Sequence, residues 1–163
     1  MNMQLRVGNG FDVHRWADAA SGRTLVLGGV TFDGVVGLDG HSDADAVAHA
    51  CTDALLGAAG LGDIGVMFPD TDERWRGADS VAMLGEAARL VRGAGWSVAN
   101  VDCTVVLDAP KLAPARDEMQ RKLGDAVGAP VTVKGKRSEG VGALGRGEGV
   151  VAWAVALVVR DAP

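Results

Sequence analysis

Apolar and polar positions alternate along the first segment. Leu5, Val7, Phe11 and Val13 fall on one side, and Arg6, Gly8, Gly10, Asp12 and His14 on the other. This period of two predicts a strand over Gln4–His14, and a second short strand follows over Thr24–Leu27. From Ser42 to Ala59 the period lengthens to that of a helix, with Val47, Cys51, Leu55 and Ala58 as its apolar stripe. Ala78–Gly93 repeats that pattern through Val81, Leu84, Ala88 and Val91, and Pro114–Val127 does so through Met119 and Leu123. Strands are expected at Val98–Leu107 and Val131–Lys136. Val150–Val159, after a glycine-rich turn over Gly140–Gly149, is apolar on both faces. Such a strand must be covered twice, by helices on one side and by another subunit on the other.

Strands alternating with helices give an α/β fold, here an α+β sandwich with helices on one face of a mixed sheet. No repeat, low-complexity tract or Pro/Ser-rich linker divides the 163 residues, a length suited to one domain, 1–163. Glycine supplies 24 of those residues, roughly twice the usual share of about 7%. That excess points to tight turns and to backbone approaching a ligand. A net charge of −5 argues against nucleic acid as a partner, since such binding rests on a basic surface. Cys51 and Cys103 lack metal-type spacing and read as buried, reduced thiols of a cytoplasmic protein. Met1–Gly10 has no apolar signal core, and the apolar run Val150–Val159 is about half of a membrane span.

The candidate chemistry starts from three histidines. Asp12 and His14 share one face of the first strand, with room left by Gly8 and Gly10, and His49 lies on the first helix between Asp45 and Asp53. Asp, His and His around one ion leave a fourth position open, the layout of a catalytic rather than a structural zinc site. Taken alone, a D-x-H pair reads better as strand-end polar residues, with His49 a helix-surface histidine. Asp53 is either an orienting partner of His49 or a solvated carboxylate. Ser42 is placed to cap the helix, and His41 precedes its start, where free N–H groups favour a phosphate. Gly62–Asp72 mixes Ile64, Met67 and Phe68 with Asp63, Asp70 and Asp72, in a segment too broken for regular structure. It reads as a lid or as a solvated acidic loop. Lys134, Lys136 and Arg137 stand before Glu139 and the glycine turn, with Arg146 and Glu148 beyond it. Basic groups beside such a loop suit phosphates, as they also suit charged strand ends.

In order along the chain these segments resemble the 2-C-methyl-D-erythritol 2,4-cyclodiphosphate synthase family. The resemblance rests on Gly10–His14, Gly40–Asp45, His49–Ala50, Asp53–Ala59, Leu61–Gly65, Phe68–Asp72, Gly77–Ser80, Asn100–Asp102, Ala109–Leu112 and Gly145–Gly149. It runs from residue 6 to about 157. It implies a homotrimer with active sites between adjacent subunits. It also implies conversion of 4-diphosphocytidyl-2-C-methyl-D-erythritol 2-phosphate to the cyclic diphosphate and CMP. Asp12, His14 and His49 would then hold zinc or manganese, and Glu139 would hold magnesium or manganese on the diphosphate.

His41 and Arg137 take the catalytic positions by this resemblance. Substrate binding falls to Asp12, His14, His41, Ser42, Asp63, Gly65, Phe68, Asp70, Thr71 and Asp72. On the nucleotide side it falls to Leu107, Ala109, Lys111, Leu112, Lys136, Arg137, Ser138, Glu139 and Arg146. Lys136, Arg137 and Ser138 depart from a threonine run usual in the family, and Arg137 stands where a threonine contacts the nucleotide phosphates. Two other functions share the metal triad: a metal-dependent phosphoesterase, in which water attacks, and a non-catalytic trimer that binds isoprenoid phosphates.

Overall fold

The computed structural model describes residues 3–161. Six strands, β1 (Met3–Arg15), β2 (Thr24–Leu27), β3 (Val30–Val36), β4 (Ser97–Val106), β5 (Val131–Lys136) and β6 (Gly149–Asp161), form two sheets. The larger has the order β1-β6-β4-β5, antiparallel except for the β4/β5 pair. β2 and β3 make a separate hairpin. Its turn, Gly28–Gly29, has positive φ at both residues (58° and 74°), which only glycine adopts without strain.

Helices α1 (Ala46–Ala59), α3 (Ser80–Gly93) and α4 (Arg116–Val127) pack on one face of the larger sheet. One-turn helices α2 (Ile64–Met67) and α5 (Gly142–Gly145) lie in segments whose sequence shows no regular pattern. The α/β sandwich expected from the alternation of elements is present, with a mixed sheet. β3 carries no strict alternation and is recognised only through its pairing with β2.

Two features differ from the sequence reading. α1 is buried nearly all round, not along one stripe: Ala46, Ala50 and Ala54 are as buried as Val47, Cys51, Leu55 and Ala58. Small residues face the sheet here because β1 turns its glycine side inward. A Cβ on Gly8 would stand 2.0 Å from the Ala54 carbonyl oxygen, and one on Gly10 would stand 1.9 Å from that of Ala50. The helix therefore rests directly on strand backbone.

α1 also begins at Ala46 rather than Ser42, and its cap is Asp45. Asp45 is fully buried and accepts from the backbone N–H groups of Gly28, Gly29, Val47 and Ala48 at 2.7–3.1 Å. It thus pins the β2–β3 turn to the helix start and occupies the N–H groups that the sequence reading offered to a phosphate.

The outer sheet face is apolar and open in the single chain. Leu5, Val7, Phe11, Val13, Trp153 and Val155 are all more than 40% exposed. Phe11 and Trp153 pair directly across β1/β6, with ring centroids 4.9 Å apart. Contiguous exposed apolar patches of this kind are typical of surfaces that bind proteins, membranes or ligands.

Candidate metal centre and phosphate cleft

Because glycines let α1 touch β1, His49 reaches the Asp12–His14 pair. His14 Nε2 lies 3.0 Å from Asp12 Oδ2, His49 Nδ1 lies 3.2 Å from the same oxygen, and the two nitrogens are 3.2 Å apart. Four ligands around zinc at about 2.0–2.1 Å are separated by roughly 3.3 Å in a tetrahedron. The three atoms thus stand close to three corners of one.

Their outer hydrogen bonds suit the same end. His14 Nδ1–H donates to the Asp39 carbonyl at 2.7 Å, leaving Nε2 as a lone pair pointing inward. His49 Nε2 meets the hydroxyls of Ser42 at 3.0 Å and Ser80 at 2.8 Å, leaving Nδ1 for the centre. Two imidazoles and a carboxylate converging in this way fit a divalent ion, and these are the only three residues among the described ones that form such a cluster.

Burial by itself raises the carboxyl of Asp12, but hydrogen bonds and charge from His14 and His49 outweigh it and hold the group at about 2. For His14 burial pulls down, but when a proton takes the place of an ion on Nε2, the bond to Asp12, the charge of Asp12 and the bond to the Asp39 carbonyl together outweigh it, so the imidazole titrates above its usual value.

A cavity of about 390 Å³ opens over the triad. His41, Ser42, Gly65, Phe68 and Asp70 line it as expected, together with Ile64, Trp75 and Met83. Its roof is ordered by a small apolar cluster of Leu56, Phe68, Met83 and Ala87, and Phe68 meets Trp75 edge to face at 4.9 Å. The segment Gly62–Asp72 is thus anchored through buried Phe68, while Asp63, Gly65, Val66, Asp70 and Thr71 stay exposed. Asp63 and Asp72 are oriented by local bonds: Asp63 caps α2 through Val66, and Asp72 pairs with Arg74 while its carbonyl faces His41 Nε2 at 3.4 Å. Thr71 is exposed beside them.

Two positional readings are corrected. Ser42 does not cap the helix but accepts from the Ala44 N–H and faces His49. Asp53 does not orient His49; it accepts from the Ile64 N–H at 2.7 Å and holds the start of α2. Sequence reasoning gave no site role to Ser80, Asp39 or Trp75. None sits within a helix or strand period of the triad, so spacing carries no signal for them.

The basic residues gather elsewhere. A second cavity of about 440 Å³ is lined by Leu107, Lys111, Leu112, Arg116, Lys136 and Arg137. Asp108 spans its two walls, accepting from the Ser138 N–H at 3.0 Å and from the Ser138 hydroxyl, with Arg137 Nε at 3.9 Å. Ala109 lines a neighbouring recess beside Trp16 and Leu144. Glu139 is exposed on the loop after β5, with a φ of 52°, and Arg146 pairs with Glu148. Neither joins the metal triad within one chain.

Both cavities lie at the same end of the large sheet, where β1, β4 and β5 finish and β6 begins, but at opposite edges.

Fold and cavities together define an α/β sandwich with three side chains placed to hold a divalent ion and a separate basic cleft. The chain belongs to the YgbB family, whose profile matches residues 5–159. The 2-C-methyl-D-erythritol 2,4-cyclodiphosphate synthase of Rubrobacter xylanophilus is 56% identical over 158 residues, 95% of each chain. That of Laribacter hongkongensis is 56% identical over 159 residues, 96% of each. A CDP-bound structure of such a synthase superposes with a TM-score of 0.83 at 43% identity, over 94% of this chain and 99% of that one. The bifunctional IspDF of Campylobacter jejuni superposes with a TM-score of 0.91 at 37% identity, over 98% of this chain and 43% of that longer one. No described helix is long and apolar enough to cross a membrane.

Proposed function

We propose that this chain is a cyclodiphosphate synthase of the non-mevalonate isoprenoid pathway. It would convert 4-diphosphocytidyl-2-C-methyl-D-erythritol 2-phosphate to 2-C-methyl-D-erythritol 2,4-cyclodiphosphate and CMP, as a phosphorus–oxygen lyase. The observation that carries this is the preformed Asp12–His14–His49 triad beneath a lidded cavity, in a chain sharing 56% identity with such synthases over 95% of its length.

The topology supports a homotrimer with sites between subunits. In one chain the triad sits at the β1 edge and the basic cleft at the β5 edge, at the same end of the sheet. A closed ring of three copies, their apolar sheet faces turned to the axis, would bring the β1 edge of one against the β5 edge of the next. That would join metal pocket to nucleotide cleft and cover Leu5, Val7, Phe11, Val13, Trp153 and Val155. Glu139 would then reach the shared site from the neighbouring copy.

In this reading Leu107, Ala109, Lys111 and Leu112 seat the cytidine, and Lys136, Arg137, Ser138 and Arg146 face its phosphates. Asp63, Gly65, Phe68, Asp70, Thr71 and Asp72 hold the erythritol and exclude water. His41, from the rim of the triad cavity, donates to the reacting phosphate. A 2-phosphate oxygen of the substrate forms a bond to the β-phosphorus. The bond from that phosphorus to the bridging oxygen breaks, and CMP leaves with that oxygen. The attacking phosphate is already an anion, so the residues position it rather than deprotonate it. A zinc or manganese ion on the triad, and a magnesium or manganese ion held by Glu139, supply charge neutralisation on the phosphates when bound.

Cys51 and Cys103, buried and unlinked, suit a cytoplasmic protein. Purified protein given the diphosphocytidyl substrate and magnesium should release CMP in proportion to cyclic product, and a strong chelator should abolish both. CMP release that survives complete metal removal would overturn the reading.

A further inference from the structure

We propose that Asp43, acting through Ser80, is a positioning residue for the metal centre: it fixes which nitrogen of His49 carries the proton. This rests on the Asp12–His14–His49 triad being a metal site.

Ser80 is fully buried at the start of α3. Its hydroxyl touches three groups: His49 Nε2 at 2.8 Å, Ser42 Oγ at 3.2 Å and, through a short bond, Asp43 Oδ1. The other Asp43 oxygen accepts the Ser80 backbone N–H at 3.2 Å, so the carboxylate grips one residue through both of its oxygens. Two backbone bonds hold the strips together on either side, Asp43 N–H to Ala78 O at 3.1 Å and Gly77 N–H to His41 O at 2.8 Å.

The direction of the chain follows from what each group can do. A carboxylate only accepts, and a serine hydroxyl has one proton to give. That proton goes to Asp43, so Ser80 must accept from its remaining neighbours. His49 Nε2 thereby keeps its proton, and Nδ1, 3.2 Å from Asp12 Oδ2, is the nitrogen left to turn a lone pair to an ion between Asp12 and His14. Without Asp43 the Ser80 hydroxyl is free to turn and donate to Nε2, which would put the ring proton on Nδ1, inside the ligand set. Asp43 thus does for His49 what the Asp39 carbonyl does for His14 Nδ1. Outer partners of metal-bound histidines typically contribute about 10–100-fold in metal affinity.

The test is a double-mutant cycle read by zinc affinity, using competition with a chromophoric chelator on the full chain, with circular dichroism as the check on folding. Ser80→Ala and Asp43→Asn should each weaken zinc binding by about 10–100-fold. The double variant should bind no more weakly than Ser80→Ala alone, because Asp43 reaches His49 only through the hydroxyl, its bonds to the Ser80 and Asp45 N–H groups being common to both backgrounds. Two independent structural lesions would instead multiply, and that result overturns the proposal. So does parental affinity in Asp43→Asn, which settles the matter even if Ser80→Ala does not fold. Absence of zinc binding by the parent chain would refute the metal site itself, a failure distinct from that of the relay.

Discussion

Gly10 holds no ligand, yet replacing it with alanine should disable the metal centre. A Cβ at this position would lie 1.9 Å from the Ala50 carbonyl oxygen and 2.7 Å from Ala54 N. Raising the first distance even to 3.0 Å, below which real Cβ contacts essentially never fall, requires α1 to retreat by about 1.1 Å. The obstacle is helix backbone, so no side chain can swing aside. Metal ligands tolerate displacements of only about 0.2 Å, and His49 is carried on the same turn of α1 as Ala50. Overpacking of this kind costs about 3 kcal/mol or more. In a domain of this size that lowers Tm by roughly 6–12 °C. Gly10→Ala should therefore show both a reduced urea midpoint and zinc affinity weakened by at least about tenfold. Gly8→Ala, clashing with Ala54 and Ala58 further along the helix, should match it in stability loss with less effect on zinc. Parental zinc affinity and urea midpoint in Gly10→Ala would refute the claim that strand–helix contact builds the site.

The combined contribution of Asp12 and His14 to the stability of the metal-free protein should be greatest between about pH 4 and 6.5. Buried Asp45 adds an opposing slope, since its carboxyl is raised from 3.8 to about 6 and so loses stability as pH rises between those values. Asp12, lowered from 3.8 to about 2, contributes stability above 3.8 that is lost as pH falls towards 2. His14, raised above 6.5, contributes stability that is full below that value and lost as pH rises through its folded one; Tm scans across pH check both limbs. Zinc affinity should run the other way and increase through His14's titration, because the ion competes with the ring proton. Asp45→Ala leaves four N–H groups, three of them buried, without their acceptor and should destabilise by at least about 3 kcal/mol in urea denaturation. Arg137→Ala should lower turnover more than metal content; unchanged turnover removes Arg137 from the site. Trimers assembled from equal parts Asp12→Ala and Arg137→Ala chains should recover about a quarter of the sites by random mixing. A site confined within one chain would recover none.

Most long elements were legible because their apolar periods are clean. β2 and β5 match their expected bounds, and β1, β4, β6, α3 and α4 differ only at their ends. The start of α1 was misplaced because Ser42, Asp43 and Asp45 all look like caps. Tertiary contact decides for Asp45, since only its carboxylate also meets the Gly28–Gly29 turn. The direction of β1 was not legible either. Apolar residues ordinarily face the core, but here glycines face inward so that α1 can lie against them, and the apolar side is exposed. The triad was legible from a strand pair and one helical histidine. Ser80 and Asp39 were not, because they come from other segments and are joined to the site only by the fold.

The central claim is that the substrate's own phosphate, not water, attacks the β-phosphorus. The direct measurement is phosphorus NMR of the reaction run in water enriched in oxygen-18. The account predicts a cyclic diphosphate and CMP, neither carrying the heavy isotope. A linear bisphosphate bearing oxygen-18 would contradict it and identify a hydrolase.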